Sequence, residues 1–178
     1  MKGALDVHRM LLEHGTHHEI VRLHRLVTCA DELPQALGLP RERCLAVRMF
    51  SADDQLAALI VRVDEAPPGR ALLPALGAAT IRPAAPDLVN AVTDYAAGLV
   101  APIPLPACVT VLMDRRIVDS SDPDEVVYVP TGEGGTALGI RSFDLFTLSG
   151  AKPLDLSSEP HRPAGAADLR PPVHIPTP

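Results

Sequence analysis

Residues 4–13 set Ala4, Val7 and Leu11 on one stripe with Leu12 beside it, and Gly15 follows. That spacing predicts an amphipathic first helix stopped by glycine. In HHEIVRL, Ile20 and Leu23 stand among polar neighbours and predict a short strand. Thr28 is the candidate cap of a helix running to Gly38, in which Pro34 implies a late start or a kink. Residues 44–50 and 56–63 are apolar and β-branched runs flanking Ser51-Ala52-Asp53-Asp54-Gln55, the pattern of a β-hairpin. After the break at Ala66-Pro67-Pro68-Gly69, residues 70–76 read as a helix in spite of Pro74, and 86–92 as a helix opened by proline.

Strands are expected at 108–113, 125–129 and 137–140, the last two joined by the glycine-rich stretch 131–135, and Ser142 is placed as the cap of a short final helix. Strands and helices interleave without a regular βαβα alternation. The expected class is therefore α/β in the mixed α+β sense, with a mixed or barrel-like sheet and surrounding helices. The expected organisation is one domain over 1–156. From residue 157 the composition turns to Pro, His, Ala and Arg, which predicts a disordered or extended tail over 157–178.

Composition narrows the picture. The 178 residues are 47% hydrophobic but contain no Trp, two Tyr and three Phe, so the core must be aliphatic. A net charge of −6 argues against non-specific binding of DNA or other polyanions. Cys29, Cys44 and Cys108 are odd in number and widely spaced, which suits free thiols in a reducing cytoplasm rather than a disulfide framework or zinc knuckle. Asp6, His8 and Arg9 interrupt the region where a secretory signal needs an apolar run, and no stretch approaches membrane-spanning length. His14, His17, His18 and His24 do not make an HExxH signature, and no metal or cofactor is called for. Asp114 ends a predicted strand, as a catalytic carboxylate or as an ordinary turn residue.

The stretch that draws the rest together is TDYAAGLVAP, a glycine and a proline four residues apart behind a helix. Read with His24 and Thr28, ELPQALGLP, CLAVRMF, VLMD and VYVPTGEGGTALGI before SFDL, in that order and spacing, it resembles the YbaK/ProX-type aminoacyl-tRNA deacylases related to the editing domain of bacterial prolyl-tRNA synthetase. The resemblance covers about residues 4 to 148. It implies a cofactor-free hydrolase acting in trans on the ester of a mischarged tRNA, with the tRNA acceptor end and prolyl-tRNA synthetase as partners.

It also assigns residues. Gly98, Leu99, Val100, Ala101 and Pro102 border the aminoacyl pocket and supply backbone donors to the developing oxyanion. Gly132, Glu133, Gly134 and Gly135 form a second glycine turn on that pocket, and His24, Thr93, Tyr95 and Asp114 fall in matching positions. The family's hairpin lysine falls on Ala46. Arg48, two residues on and on the same strand face, is either an ordinary strand residue or the group that reaches a phosphate or ribose instead. The family's TGY is Thr93-Asp94-Tyr95 here. These departures leave a second expectation open, a catalytically inactive member that binds a small molecule or a protein.

Overall fold

The structure is a computed structural model that describes residues 1–65, 69–119, 122 and 124–156. The tail expected over 157–178 lies outside the described residues. In chain order the elements are α1 (Ala4–Glu13), β1 (His18–Arg22), α2 (Leu33–Leu37), β2 (Leu45–Ala52), β3 (Gln55–Arg62), α3 (Gly69–Leu76), β4 (Ile81–Pro83), α4 (Pro86–Thr93), β5 (Thr110–Asp114), α5 (Arg115–Val118), β6 (Val126–Pro130), β7 (Thr136–Arg141), α6 (Ser142–Ser149) and β8 (Lys152–Leu154). Short 3₁₀ turns occupy Ala30–Glu32, Arg41–Arg43 and Ala97–Leu99.

The strands form two sheets. One is antiparallel in the order β1-β7-β6; the other runs β4-β2-β3-β5-β8. The hairpin β2–β3 is antiparallel, whereas β3–β5 and β5–β8 are parallel. Parallel pairing needs a long crossover, and α3, β4 and α4 supply it between β3 and β5. The fold is mixed α/β, as the sequence predicts.

The barrel is not closed, for a reason visible in β2. Its outer edge meets β4 only at Phe50, Ser51 and Ala52, with Ala84 N–H donating to Met49 C=O at 3.0 Å beyond them. At its other end a single bridge, Cys44 to Tyr128, touches the first sheet. Between these points the edge of β2 is left out of either ladder.

β2 is buried on both faces, which is why its sequence is an apolar run broken only by Arg48 and the buried Ser51. Leu45, Val47 and Met49 join the main core with Val7 and Leu11 of α1 and Leu138 and Ile140 of β7. On the opposite face Phe50 packs with Leu59, Leu72 and Leu112 under α3, and Ala46 packs with Val27, Leu33 and Leu99.

Two predicted caps are corrected. Thr28 does not cap a helix; its N–H and Oγ1 both donate to the Glu32 carboxylate, and Pro34 sits in the first turn of α2, so the helix starts late. Ser142 is the first residue of α6 and Arg141 is the N-cap. The strands β4 and β8 and the helix α5 were not anticipated. Both strands are edge strands of three residues carrying a proline, Pro83 and Pro153, and proline is tolerated only at such edges.

Cys44 is fully buried, and burial pushes its thiol up to about 11, with Arg43 pulling the other way. Because the folded state favours the neutral thiol, this contribution to stability is complete below the ordinary thiol range near ~8.5. It is lost as pH rises from there through about 11. Alkylation with iodoacetamide at pH 8 is expected to modify exposed Cys108 in the native protein and Cys44 only on unfolding; mass mapping of the labelled protein reads the order.

Candidate functional site

The loop at 93–102 is pinned at both ends by its own side chains. Thr93, buried at the end of α4, donates through Oγ1 to Val89 C=O at 2.8 Å and accepts from Tyr95 N–H at 3.1 Å. Asp94 adopts φ 62 as the left-handed C-cap of α4. Aspartate is one of the few side chains that accept this backbone, which accounts for Asp standing where the family's TGY pattern has glycine. Tyr95 is fully buried and donates through its hydroxyl to Ile103 C=O at 3.2 Å, closing the loop. Burial first, then Asp6 and Asp94, pushes that hydroxyl's pKa well above the tyrosine range, so it stays a donor. Ala97 N–H donates to Asn90 Oδ1 at 2.9 Å, tying the 3₁₀ turn to α4.

Gly98 has an explicit steric cause. A Cβ there would press inside van der Waals contact on the Thr28 carbonyl oxygen, and one on Gly134 would do the same to the Val27 carbonyl oxygen. The chain at 23–29 therefore runs between the two glycine segments. It is stitched to the second by Leu23 N–H to Gly135 C=O and Val27 N–H to Gly134 C=O, both 2.9 Å. Gly132, at φ 96, also lacks room, because Lys2 C=O and the Tyr95 ring occupy its Cβ position. Gly135 faces only the end of Leu26.

A cleft of about 350 Å³ opens along the unpaired stretch of β2. Its walls are Val47, Arg48 and Met49, Cys29 and Ala30, Val89 of α4, and Gly98. Strand alternation adds backbone groups: since Met49 C=O turns toward Ala84, the N–H and C=O of Val47 turn to the same edge, where β4 has ended. A mainly apolar cleft with a few convergent polar groups is the usual form of a small-ligand site. A larger hollow of about 650 Å³ lies at the β2–β3 tip beside Asp54, Arg82 and Cys108, but none of the sequence-predicted site residues lines it.

Arg48 stands on the cleft wall with its charge already matched. Nη1 donates to Asp31 Oδ2 at 2.9 Å, Nη2 to Asp31 Oδ1 at 2.5 Å and to Val63 C=O at 3.0 Å. Its Nε is buried without a partner among the described residues. Ala46 is not among the residues that line the cleft; it is buried against the Val27, Leu33 and Leu99 cluster.

The structure thus brings Gly98 and Arg48 to one cleft and distributes the other predicted residues around it. Leu99 packs with Ala46, while Val100, Ala101 and Pro102 are buried. His24 is exposed on the segment between the glycines. Glu133 accepts from Ala4 N–H at 3.2 Å, so its carboxylate holds the start of α1. Asp114 is buried, caps α5 by accepting from Arg116 N–H at 2.9 Å, and is bound by the Arg116 guanidinium, which also grips Glu65. Burial pushes the Glu65 carboxyl up, against Arg116 and with help from Asp114. This is the turn-residue role, with the carboxylate spent on structure. Among the described residues no cluster of His, Cys, Asp or Glu could hold a metal ion, and no helix is long and apolar enough to cross a membrane. His18 meets His8 at 2.8 Å and Thr16 C=O at 2.7 Å instead.

Sequence reasoning missed Asp31, Cys29, Val47 and Met49. Asp31 lies 17 positions from Arg48 with no motif connecting them, and the open edge of β2 depends on where β4 stops.

Comparison with known proteins follows the same lines. The model of the aminoacyl-tRNA editing domain matches residues 24–148. A solved structure described as a candidate trans-editing enzyme for prolyl-tRNA synthetase superposes with a TM-score of 0.73 at 22% identity, covering 85% of this chain and 94% of that one. A hypothetical protein designated APE2540 gives a TM-score of 0.74 at 19% identity, covering 84% and 97%. A protein from Marinobacter aquaeolei VT8, described as a candidate signal transduction protein, gives 0.58 at 20% identity over 84% of this chain and 30% of that one. No curated protein matches by sequence.

Gly98→Ala and Gly134→Ala are each expected to lower unfolding free energy by about 1–3 kcal/mol, because a backbone oxygen must move to admit the methyl group. Gly135→Ala, with room at its Cβ, is expected to change stability little. Urea denaturation of the three variants checks the ranking.

Proposed function

The chain belongs to the aminoacyl-tRNA editing domain family, and on that premise we propose that it is a trans-acting editing hydrolase. It would cleave the ester of a mischarged tRNA, with a tRNA for proline or another small amino acid as the first candidate. The observation that carries this reading is the cleft that joins Gly98 of the Gly-x-x-x-Pro loop to Arg48 beside an open strand edge.

The chemistry follows from these groups. Water adds to the ester carbonyl carbon, the bond to the ribose oxygen of the terminal adenosine breaks, and the proton ends on that oxygen, releasing free amino acid and tRNA. Charge builds on the former carbonyl oxygen. The Leu99 amide is already committed to Ala96 C=O at 2.8 Å. The Gly98 amide lies on the cleft wall and belongs to no sheet ladder, and the pinned loop holds it in place, so it is the donor we assign to this oxyanion, without reorganisation. The apolar walls Val47, Met49 and Val89 suit an uncharged side chain, and the Val47 carbonyl suits its α-ammonium group. Trans editing is needed because a synthetase pocket discriminates weakly between small apolar side chains. The family match, and the description of one solved neighbour as a candidate trans-editing enzyme for prolyl-tRNA synthetase, support a role beside that synthetase in the cytoplasm.

A second reading has its own observation. Ala46 stands buried at the family's lysine position, and Arg48 is neutralised by Asp31. Both favour a non-catalytic member that keeps the cleft for binding.

Deacylation of a panel of mischarged tRNAs, including alanyl- and cysteinyl-tRNA for proline, decides between them. The enzyme reading expects acceleration over buffer for at least one member; none for any supports the binding module. Arg48→Ala is expected to reduce the active case by at least about tenfold, the scale of one lost charge-assisted contact.

A further inference from the structure

We infer that Asp31 is a built-in competitor for the anion that Arg48 is placed to receive. The idea rests on reading the cleft as the site of a tRNA acceptor end. Arg48 is the cation on the cleft wall, and both of its terminal nitrogens are committed to the Asp31 carboxylate in a two-point fork. A phosphate group presents the same planar pair of oxygens to a guanidinium. The two acceptors claim the same donors, so a phosphate is bound at Arg48 by exchange with Asp31.

The exchange is cheap on the Asp31 side and anchored on the Arg48 side. Asp31 sits on the 3₁₀ turn Ala30–Glu32 with its side chain 44% exposed, so it returns to water when released. Ion pairs of this exposure contribute little to stability. The Arg48 side chain is 27% exposed, and its hydrogen bond to Val63 C=O does not involve Asp31. The guanidinium therefore keeps its position while its partner changes. Asp31 sets a threshold, since anions that cannot offer two oxygens to the fork fail to displace it.

The test titrates the trinucleotide CCA into isotope-labelled full-length protein and follows binding by amide and carboxyl NMR. Asp31→Asn is expected to bind roughly fivefold tighter than the wild type, the scale of one removed pair of this exposure. The gain is expected to vanish in Asp31→Asn/Arg48→Ala. Equal or weaker binding by a folded Asp31→Asn, or a gain that survives loss of Arg48, overturns the inference. Should Asp31→Asn not fold, the wild type suffices: the Asp31 carboxyl carbon must shift as CCA saturates, and a resonance that stays put overturns the idea. Hydrolysis of mischarged tRNA with no such effect would remove Asp31's role alone, whereas CCA binding gated by Asp31 without hydrolysis would leave the role standing and remove the catalytic reading.

Discussion

Everything near the cleft depends on one close approach, in which the backbone at 27 and 28 lies against two glycines with no room for a Cβ. Gly98 meets the Thr28 carbonyl and Gly134 meets the Val27 carbonyl. This contact positions Cys29 and Ala30 on the cleft wall, carries Asp31 to Arg48, and fixes the distance between the two glycine segments. Glycine at these positions is a packing requirement first. The pinned Gly-x-x-x-Pro loop gains its suitability for chemistry from that requirement, because a backbone held against another backbone presents its amides in a constant place.

The second constraint is the unfinished pairing of β2. A barrel closed along this strand would spend every backbone group on a neighbour. Here β4 ends at Pro83 and, among the described residues, the first sheet bridges this edge only at Cys44, which leaves the Val47 amide and carbonyl facing a cleft rather than a ladder. Exposed strand edges invite unwanted pairing, and natural sheets restrict them. In this fold the open stretch is short, and the segments around Cys29, Gly98 and Val89 wall it in.

Charge is arranged sparingly around this cleft. The buried carboxylate, Asp114, is consumed by Arg116 and the first turn of α5. Arg48 is held by Asp31, and Ala46, buried in an apolar cluster, offers no charge. Stabilisation of developing charge in the proposed reaction falls to backbone dipoles, which have no titration of their own.

The local pattern by itself determined the first helix, the β2–β3 hairpin, the proline-opened α4 and the strands on either side of the 131–135 turn, because each is long enough to show its period or its punctuation. It also determined the Gly-x-x-x-Pro loop and the position of Arg48. Three-residue edge strands carrying proline gave no readable period, and Thr28 and Ser142 had the chemistry of caps without the backbone geometry. Only the tertiary structure decided that Gly98 and Gly134 grip the same segment, that Asp31 answers Arg48 across the chain, and that β2 is left open where the cleft forms. Those are contacts between residues far apart in sequence, set by where neighbouring strands stop and how closely backbones approach. No periodicity along one segment encodes them.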